Sequence, residues 1–300
     1  MSADAARAIE IEDLTKRYGR HVAVDHLTLN VPRGSVFAFL GRNGAGKTTT
    51  IRILLDLLDR TKGHARVLGL DCVRDSLAIK KRIGYVAEGQ KMYDWMRVDE
   101  LIWFCKGFYP GWDDALAAEL KAKLELPGDR RVGQMSRGMQ AKLALLLAMA
   151  YRPELLILDE PTAGLDVVVR RDFLEGVIDL IQQEGRTVFF SSHIVHEVER
   201  VADWVGLIDH GRLVWLSPME ELKAKVKRLV MTFETTPASF PNIKNVLRLE
   251  KSGRQAAVTV SGFSDETLAA AKALNPADLR VDDLSLEDIF VAMVGNSEAE

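Results

Sequence analysis

The stretch Gly41-Arg42-Asn43-Gly44-Ala45-Gly46-Lys47-Thr48 decides the fold of this chain. It fits G-x-x-x-x-G-K-[ST], the pattern of a phosphate-binding loop. The apolar run 36–40 before it has the length of a strand, and apolar residues recur at helical spacing over 51–58 after it. A position between a strand and a helix is the context in which this pattern binds phosphate. The alternative is a glycine-rich turn that binds nothing, and the flanking strand and helix argue against it.

The chemistry of the loop follows from this position. Glycines let the backbone wrap closely around phosphate with its N–H groups pointing inward, and the helix N-terminus adds partial positive charge. Lys47 is expected to reach the β- and γ-phosphates during catalysis, and Thr48 is expected to hold Mg²⁺. The predicted cofactor-binding residues of this loop are Gly41, Asn43, Gly44, Ala45, Gly46, Lys47, Thr48 and Thr49.

A second motif occupies residues 155–160. Four consecutive apolar residues, 155–158, suit a strand that is buried on both faces of a parallel sheet. The carboxylates of Asp159 and Glu160 then lie at the strand end, where such sheets bind ligands. Asp159 is expected to hold Mg²⁺, and Glu160 to orient or deprotonate the attacking water. The alternative, a solvated acidic turn, fits poorly with a phosphate-binding loop in the same chain.

Two further side chains are weaker candidates for the phosphate or nucleotide site. His193 follows a predicted strand at 187–190, where it could touch a γ-phosphate or its water; a buried, hydrogen-bonded histidine is the alternative. Zinc held by His193 and His196 is disfavoured, because no cysteine or third histidine lies nearby in sequence. Tyr18 could stack on an adenine ring, but spacing alone favours packing at a sheet edge.

The segment from about residue 88 to 152 has a different character. Helices are predicted at 114–126 and 141–151, and Ser136 and Gly138 precede the second of them as a small anion site or an ordinary cap. Dense aromatic residues indicate either a helical core or an interface, and the core is the expected role for most of them. These residues are Tyr93, Trp95, Trp103, Phe104, Phe108, Tyr109 and Trp112.

Composition describes an ordinary globular chain of 300 residues, with 47% hydrophobic and 28% charged residues. A net charge of −3 gives no electrostatic argument for nucleic acid as a partner. Cys72 and Cys105 do not suggest a disulfide framework and fit a reducing compartment. The N-terminal residues have no apolar signal core, and no apolar run approaches the roughly 18 residues of a spanning helix. Any membrane role is therefore expected to go through a partner.

Predicted strands and helices alternate as far as about residue 217, which indicates a mostly parallel α/β sheet. The pattern there includes a helix marked by apolar residues at 173–181 and a hairpin at 205–209 and 212–216. From about residue 220 we expect a small α+β appendage with a frayed tail at 296–300. Its predicted elements are a Lys-rich helix at 222–229, strands at 229–233, 246–249, 256–260 and 279–281, and helices at 265–274 and 286–294.

Taken together, the motifs over about residues 8–217 resemble those of the ATP-binding subunits of ABC transporters. Residues 41–48 resemble the Walker A loop and 155–160 the Walker B strand. Residues 135–140 are similar to the family signature, in the Arg-Gly-Met form of exporter-type subunits. Residues 163–166 resemble the D-loop, and residues 284–290 resemble the ending of subunits from drug- and bacitracin-exporter-like systems.

This resemblance implies roles for individual residues. His193 falls at the switch histidine and Asp166 in the D-loop. Tyr18 falls at the aromatic A-loop position, which reverses the preference for sheet-edge packing. Ser136 and Gly138 are the phosphate-contacting pair of the signature.

The implied fold is a P-loop NTPase of ABC type over residues 1–219. It has an antiparallel β subdomain and a helical subdomain at about 88–152. A C-terminal α+β accessory domain is expected over 220–300. The implied cofactors are ATP and Mg²⁺.

The chain departs from the family pattern at several positions. Arg137 and Met139 replace the usual signature residues, and Arg42 stands where proline is frequent. Glu88 replaces the Q-loop glutamine and can still bind Mg²⁺ or water, although its charge alters how a γ-phosphate is sensed. Gln90 is nearby but two residues out of register.

The leading hypothesis is a cytoplasmic ATPase subunit, peripheral on the membrane, that drives a separate integral-membrane permease, an exporter by family likeness. In that family two such domains sandwich ATP head to tail, so a second copy or a paralogue is required. The Q-loop and the helical region after it then receive the permease, and no nucleic acid is expected. The alternative is a soluble ABC-type ATPase that acts on ribosomes or DNA. The appendage is a candidate ligand-sensing or dimerising module.

Overall fold

The computed structural model describes residues 7–166, 170, 185–235 and 243–295. The chain divides into two compact units, Met1–Leu216 and Ser217–Glu300. The predicted helix at 173–181 and the tail at 296–300 lie outside the described residues. No helix in the described ranges is long and apolar enough to cross a membrane.

The elements are numbered here in chain order. The strands are β1 (Arg7–Tyr18), β2 (His21–Pro32), β3 (Val36–Leu40), β4 (Lys62–Val67), β5 (Leu70–Asp71), β6 (Ile83–Val86), β7 (Leu155–Asp159), β8 (Thr187–Ser192), β9 (Trp204–Asp209), β10 (Arg212–Pro218), β11 (Val226–Thr232), β12 (Val246–Ser252), β13 (Gln255–Ser261) and β14 (Asp278–Asp283). The helices are α1 (Lys47–Leu54), α2 (Ser76–Lys80), α3 (Val98–Lys106), α4 (Asp114–Lys123), α5 (Arg137–Met149), α6 (Val195–Val201), α7 (Met219–Lys225), α8 (Asp265–Lys272) and α9 (Leu286–Val294).

The first unit is organised around a six-stranded sheet in the order β10-β9-β3-β8-β7-β6. The pairs β9–β3, β3–β8, β8–β7 and β7–β6 are parallel. Every residue of β3, β7 and β8 is buried, as expected for strands covered on both faces. The rings of Phe37, Phe39 and Phe189 pack together within it. Parallel strands bring their carboxyl ends to one edge, so the residues after β3, β7 and β8 meet there.

A second sheet of this unit has the order β2-β1-β4-β5 and is antiparallel. Strand β1 continues to Tyr18, and Gly19 and Arg20 form the turn to β2. Pairing with β2, which continues to Tyr18 opposite His21, extends β1 beyond its apolar half. Tyr18 therefore ends a strand and projects from the sheet at a fixed position.

Helices α3, α4 and α5 form the helical part of this unit. The predicted helix at 141–151 begins earlier, at Arg137, because the Ser136 hydroxyl accepts the N–H of Met139 at 3.2 Å and caps it. The predicted helix at 114–126 ends at Lys123, and Glu125 adopts a left-handed conformation (φ 55°).

The expectation that most aromatic residues at 93–112 form a core is wrong. The buried positions of α3 are the aliphatic Val98 and Leu101. The aromatic side chains lie outside this aliphatic core and are at least partly accessible. Tyr93, Trp95, Trp103 and Phe108 are exposed, whereas Phe104, Tyr109 and Trp112 are half-buried.

The second unit contains an antiparallel sheet in the order β12-β13-β11-β14. Its core includes Leu229, Met231 and Val258. The Lys-rich helix predicted over 222–229 is wrong at its C-terminal end, since α7 stops at Lys225 and residues 226–229 begin β11. β11 pairs with β13 on one side and β14 on the other, so strand pairing overrides the local helical pattern.

Candidate functional site

The loop after β3 wraps tightly because glycine occupies its crowded positions. Gly46 has φ 104°, and a Cβ atom there would lie 2.4 Å from the carbonyl oxygen of Ala23. A Cβ atom at Gly41 would lie 2.4 Å from the carbonyl oxygen of Ile208. The loop is therefore held against β2 and β9, and α1 starts directly after it at Lys47.

Lys47 lies at the centre of the loop and is only 5% exposed. Its ammonium group donates to the carbonyl oxygens of Gly41 at 2.7 Å and Arg42 at 3.1 Å. It also lies 3.1 Å from Oε1 of Glu160. Its positive charge is thus fixed inside the curve of the loop.

Glu160 follows the last residue of β7 in a left-handed conformation (φ 46°), which is unusual for a residue with a side chain. Its carboxylate is 7% exposed and lies between two nitrogen groups. Besides Lys47, Nδ1 of His193 lies 2.8 Å from Oε2 of Glu160. His193 is partly exposed, so the alternative of a buried, satisfied histidine does not hold. A carboxylate so placed can accept a proton from water.

Asp159 forms the floor beside them. The hydroxyl of Thr48 donates to Asp159 Oδ1 at 3.1 Å, and the hydroxyl of Ser191 donates to the same atom at 2.7 Å. Burial raises the pKa of the Asp159 carboxyl, and these two hydrogen bonds oppose the rise. A nearby cation would offset the cost of burying this charge.

Lys47, Glu160 and His193 line a pocket of about 480 Å³. It brings together predicted site residues from five separate stretches of sequence. Tyr18 lies at its wall with 48% of its surface exposed, so its ring is free on one side; Lys16 Nζ lies 5.0 Å from the ring centroid. The lining residues are Tyr18, His21, Ala23, Asn43, Gly44, Gly46, Lys47, Thr48, Thr49, Glu88, Glu160 and His193.

Six predicted residues are not among the residues lining this pocket. Gly41, Ala45 and Asp159 belong to the two motifs beside it, and the other three lie elsewhere. Ser136 and Gly138 are at the start of α5, and Asp166 lies six residues beyond Glu160 on the other side of Pro161. Arg137 instead lines a second pocket of about 400 Å³, together with Gln90 and Glu160. Glu160 therefore contributes to both pockets.

Glu88 and Gln90, the two residues near the expected Q-loop position, line different pockets. Glu88 faces the pocket of the phosphate loop, whereas Gln90 lines the second pocket and accepts the N–H of Ala87 at 3.4 Å. The residue in register, rather than the nearby glutamine, thus reaches the phosphate side.

Sequence reasoning missed Ser191. Its hydroxyl donates to the Asp159 carboxylate and accepts the backbone N–H of Glu160 at 2.9 Å, so it fixes the Asp159 side chain and the backbone of Glu160. The available signal was strand register, because Ser191 pairs with Asp159 across β7 and β8. His21 and Ala23 were also missed, since nothing in their local sequence marks them.

Within the described ranges, no group of three or more histidine, cysteine, aspartate or glutamate side chains is placed to hold a metal ion by itself. Thr48 and Asp159 nevertheless offer adjacent hydroxyl and carboxylate oxygens, the ligand type that Mg²⁺ prefers when phosphate oxygens complete its shell.

Comparison with known proteins agrees with this geometry. Residues 24–163 match the family model described as ABC transporter. The bacitracin transport ATP-binding protein BcrA of Bacillus licheniformis is 38% identical over 222 residues, which cover 73% of this chain and 72% of BcrA. The daunorubicin/doxorubicin resistance ATP-binding protein DrrA of Streptomyces peucetius is 32% identical over 99% of this chain and 95% of its own length.

A solved structure of an ATP-binding subunit of an ABC transporter superposes with a TM-score of 0.65. It is 24% identical and covers 72% of this chain and 92% of its own. This likeness confirms the predicted fold class, an α/β P-loop NTPase of ABC type. The chain belongs to the ATP-binding proteins of ABC transporters, a family of ATPases.

Proposed function

We propose that this chain is the ATP-hydrolysing subunit that powers a separate membrane permease, and that the permease is an exporter. The observation that carries the proposal is the position of the Glu160 carboxylate, between Lys47 of the phosphate loop and His193 at the end of a neighbouring strand. A buried base beside a phosphate site is suited to activating water for hydrolysis.

The residues of the pocket have separate roles in this proposal. Backbone N–H groups of the loop and the ammonium of Lys47 bind the phosphates. Glu160 orients the attacking water and takes its proton, and His193 holds the Glu160 side chain from the opposite side. The exposed ring of Tyr18 stacks on the adenine, since aromatic rings bind base faces without sequence preference.

Mg²⁺ would be held by the Thr48 hydroxyl, by Asp159 and by Glu88. When bound, the ion would neutralise charge that develops on the phosphates. The buried Asp159 carboxylate and its hydrogen bond from Thr48 fit such an ion. Glu88 adds a negative charge to this set, where the family has a neutral glutamine.

A second ATPase subunit completes the site in this proposal. Ser136, Gly138 and Asp166 do not line the pocket that contains Lys47. They would bind the nucleotide held by a partner chain, which is either a second copy or a paralogue. The separation of these residues from the phosphate pocket within one chain supports a head-to-tail pair.

The permease would dock on the helical part of the first unit. A groove of about 310 Å³ there is lined mainly by apolar and aromatic side chains, among them Leu57, Tyr85, Tyr109 and Tyr151. Gln90 also lines it, so the Q-loop contributes to this groove and to the second pocket. The exposed aromatic side chains at 93–108 give this region the surface expected of an interface.

Two observations support export; a position on the cytoplasmic face of the membrane is part of the same proposal. The printed names of BcrA and DrrA refer to bacitracin transport and to daunorubicin/doxorubicin resistance. DrrA matches over nearly the whole chain, including the second unit. The cargo would be recognised by the permease rather than by this chain.

The test is to trap the complex with ATP. The Glu160→Gln variant, tagged and loaded with MgATP, is purified from detergent-solubilised membranes, and the proteins that accompany it are identified. A multi-spanning membrane protein that requires ATP for its retention supports the proposal. Recovery of a dimer without any membrane protein, or of ribosomal subunits or DNA, contradicts it.

A further inference from the structure

A second link joins the segments that carry Glu160 and His193, behind the contact between those two side chains. Thr162 lies two residues after Glu160, and Glu197 lies four residues after His193 on α6. The Thr162 hydroxyl donates to Oε2 of Glu197 at 3.0 Å. Both residues are buried, with exposures of 2% and 6%. The two segments are therefore fixed to each other at two points rather than one.

The Glu197 carboxylate also reaches the residues after the D-loop. Its Oε1 lies 3.1 Å from Nε of Arg170. The Arg170 guanidinium donates to the carbonyl oxygen of Leu165 at 2.9 Å, and its backbone N–H donates to the carbonyl oxygen of Asp166 at 2.9 Å. One carboxylate thus connects the histidine segment to both ends of residues 162–166.

The chemistry of Glu197 argues that this arrangement serves more than stability. Burial raises the pKa of its carboxyl, while Thr162 and Arg170 oppose the rise. A buried ion pair is weak evidence for stability, because apolar residues of similar volume often stabilise a protein equally well. Here the pair fixes one geometry for the three segments that carry Glu160, His193 and Leu165.

We propose that Glu197 is a positioning residue that fixes the distance between Glu160 and His193 and sets the conformation of residues 162–166. The inference rests on the proposed role of Glu160 in hydrolysis. Since residues 163–166 resemble the D-loop, Glu197 also connects the histidine segment to the surface proposed to meet a second subunit.

The experiment compares Glu197→Gln, Thr162→Val and Thr162→Ser with the wild type. Glutamine still accepts a hydrogen bond from Thr162 but has no charge for Arg170. Valine has the shape of threonine without its hydroxyl, and serine retains the hydroxyl. Glu199→Gln, the same change two residues further along α6, is the matched control. The dissociation constant of ATP and kcat are measured for each.

We expect kcat to fall about tenfold or more in Glu197→Gln and Thr162→Val, because small displacements of catalytic groups are costly. ATP affinity should stay within about twofold, and Thr162→Ser and Glu199→Gln should resemble the wild type. In the Glu160→Gln background, adding Glu197→Gln should cause no further loss of rate. This last measurement separates positioning of Glu160 from general weakening of the fold.

A wild-type rate in Glu197→Gln would overturn the inference while leaving the proposed function intact. An equal, multiplicative loss in the Glu160→Gln background would also overturn it. Absence of ATP hydrolysis by the wild-type chain with its partners would instead contradict the proposed function itself.

Discussion

Nδ1 of His193 lies 2.8 Å from Oε2 of Glu160, so the partly exposed histidine directly contacts the buried carboxylate. The other oxygen of that carboxylate lies 3.1 Å from the Lys47 ammonium. A bound triphosphate would therefore compete with Glu160 for Lys47. Phosphate binding would therefore weaken the contact between Glu160 and Lys47. The charge of Glu160 is then expected to affect ATP binding as well as hydrolysis.

Replacing Lys47 with alanine should weaken ATP binding about tenfold or more, since a charge-assisted hydrogen bond is worth roughly 1.5–3 kcal/mol. Water cannot easily take its place, because the ammonium is buried within the loop. Titration with a fluorescent ATP analogue measures the effect. Lys62→Ala, at an exposed position on β4, is the control. An unchanged dissociation constant for Lys47→Ala would disprove the assignment of the phosphate loop.

Tyr18→Ala should weaken ATP binding by about tenfold, and Tyr18→Phe should leave it nearly unchanged. The physical reason is that stacking of a base on an aromatic ring is worth roughly 1–3 kcal/mol and depends on the ring rather than the hydroxyl. Tyr18 is 48% exposed, so neither change should disturb the core. If alanine and phenylalanine variants lose affinity equally, the hydroxyl matters and stacking is not the explanation.

Glu154→Gln should lower the free energy of unfolding by less than about 1 kcal/mol at neutral pH, because the ion pairs it removes, with Arg82 and Arg33, are half-exposed. The hydrogen bond from Arg82 holds the pKa of Glu154 below its ordinary value of 4.5. A lowered pKa in the folded state gives stability that is present above pH 4.5 and is lost as the pH falls through the folded pKa. Urea unfolding of wild type and variant at pH 7 and at pH 3–4 tests this. A difference that grows on acidification would contradict the sign.

Trp103→Ala should reduce recovery of the membrane partner without changing ATP affinity. Trp103 is 76% exposed on α3, so its removal costs the isolated chain little. Aromatic residues at the centre of an interface commonly contribute 2 kcal/mol or more to binding, roughly a 30-fold change. The comparison uses the ATP-trapped complex described above, with exposed Leu77→Ala as a control for general loss of apolar surface. Equal recovery of the partner with Trp103→Ala would remove the aromatic surface from the interface.

The phosphate loop and the two carboxylates at the end of β7 were predictable because each depends on a contiguous pattern. An apolar strand that ends in polar residues is expected to be buried within a parallel sheet, with those polar residues at the carboxyl edge of the sheet. The strand end that carries His193 was predictable for the same reason. That these ends meet at one edge follows from the parallel arrangement alone.

The features that sequence missed depend on contacts between distant segments. Ser191 can donate its hydrogen bond to Asp159 only because β7 and β8 pair in one register. The Thr162–Glu197 hydrogen bond joins residues 35 positions apart. The aromatic residues at 93–112 were assigned to a core because composition cannot show which face of α3 is covered. The buried face of α3 is formed by Val98 and Leu101. Residues 226–229 became strand because partners on both sides of β11 outweighed local helical preference.

The measurement that tests the central claim most directly is single-turnover hydrolysis of bound MgATP by the wild type and by Glu160→Gln, with ATP affinity determined in the same samples. The account predicts that the variant hydrolyses ATP at least about 100-fold more slowly, the usual contribution of a general base. Its ATP affinity should be equal or higher, because a negative charge beside the phosphates is removed. Glu154→Gln, the same change outside the pocket, should retain the wild-type rate. Full hydrolysis by Glu160→Gln would show that this carboxylate is not the base.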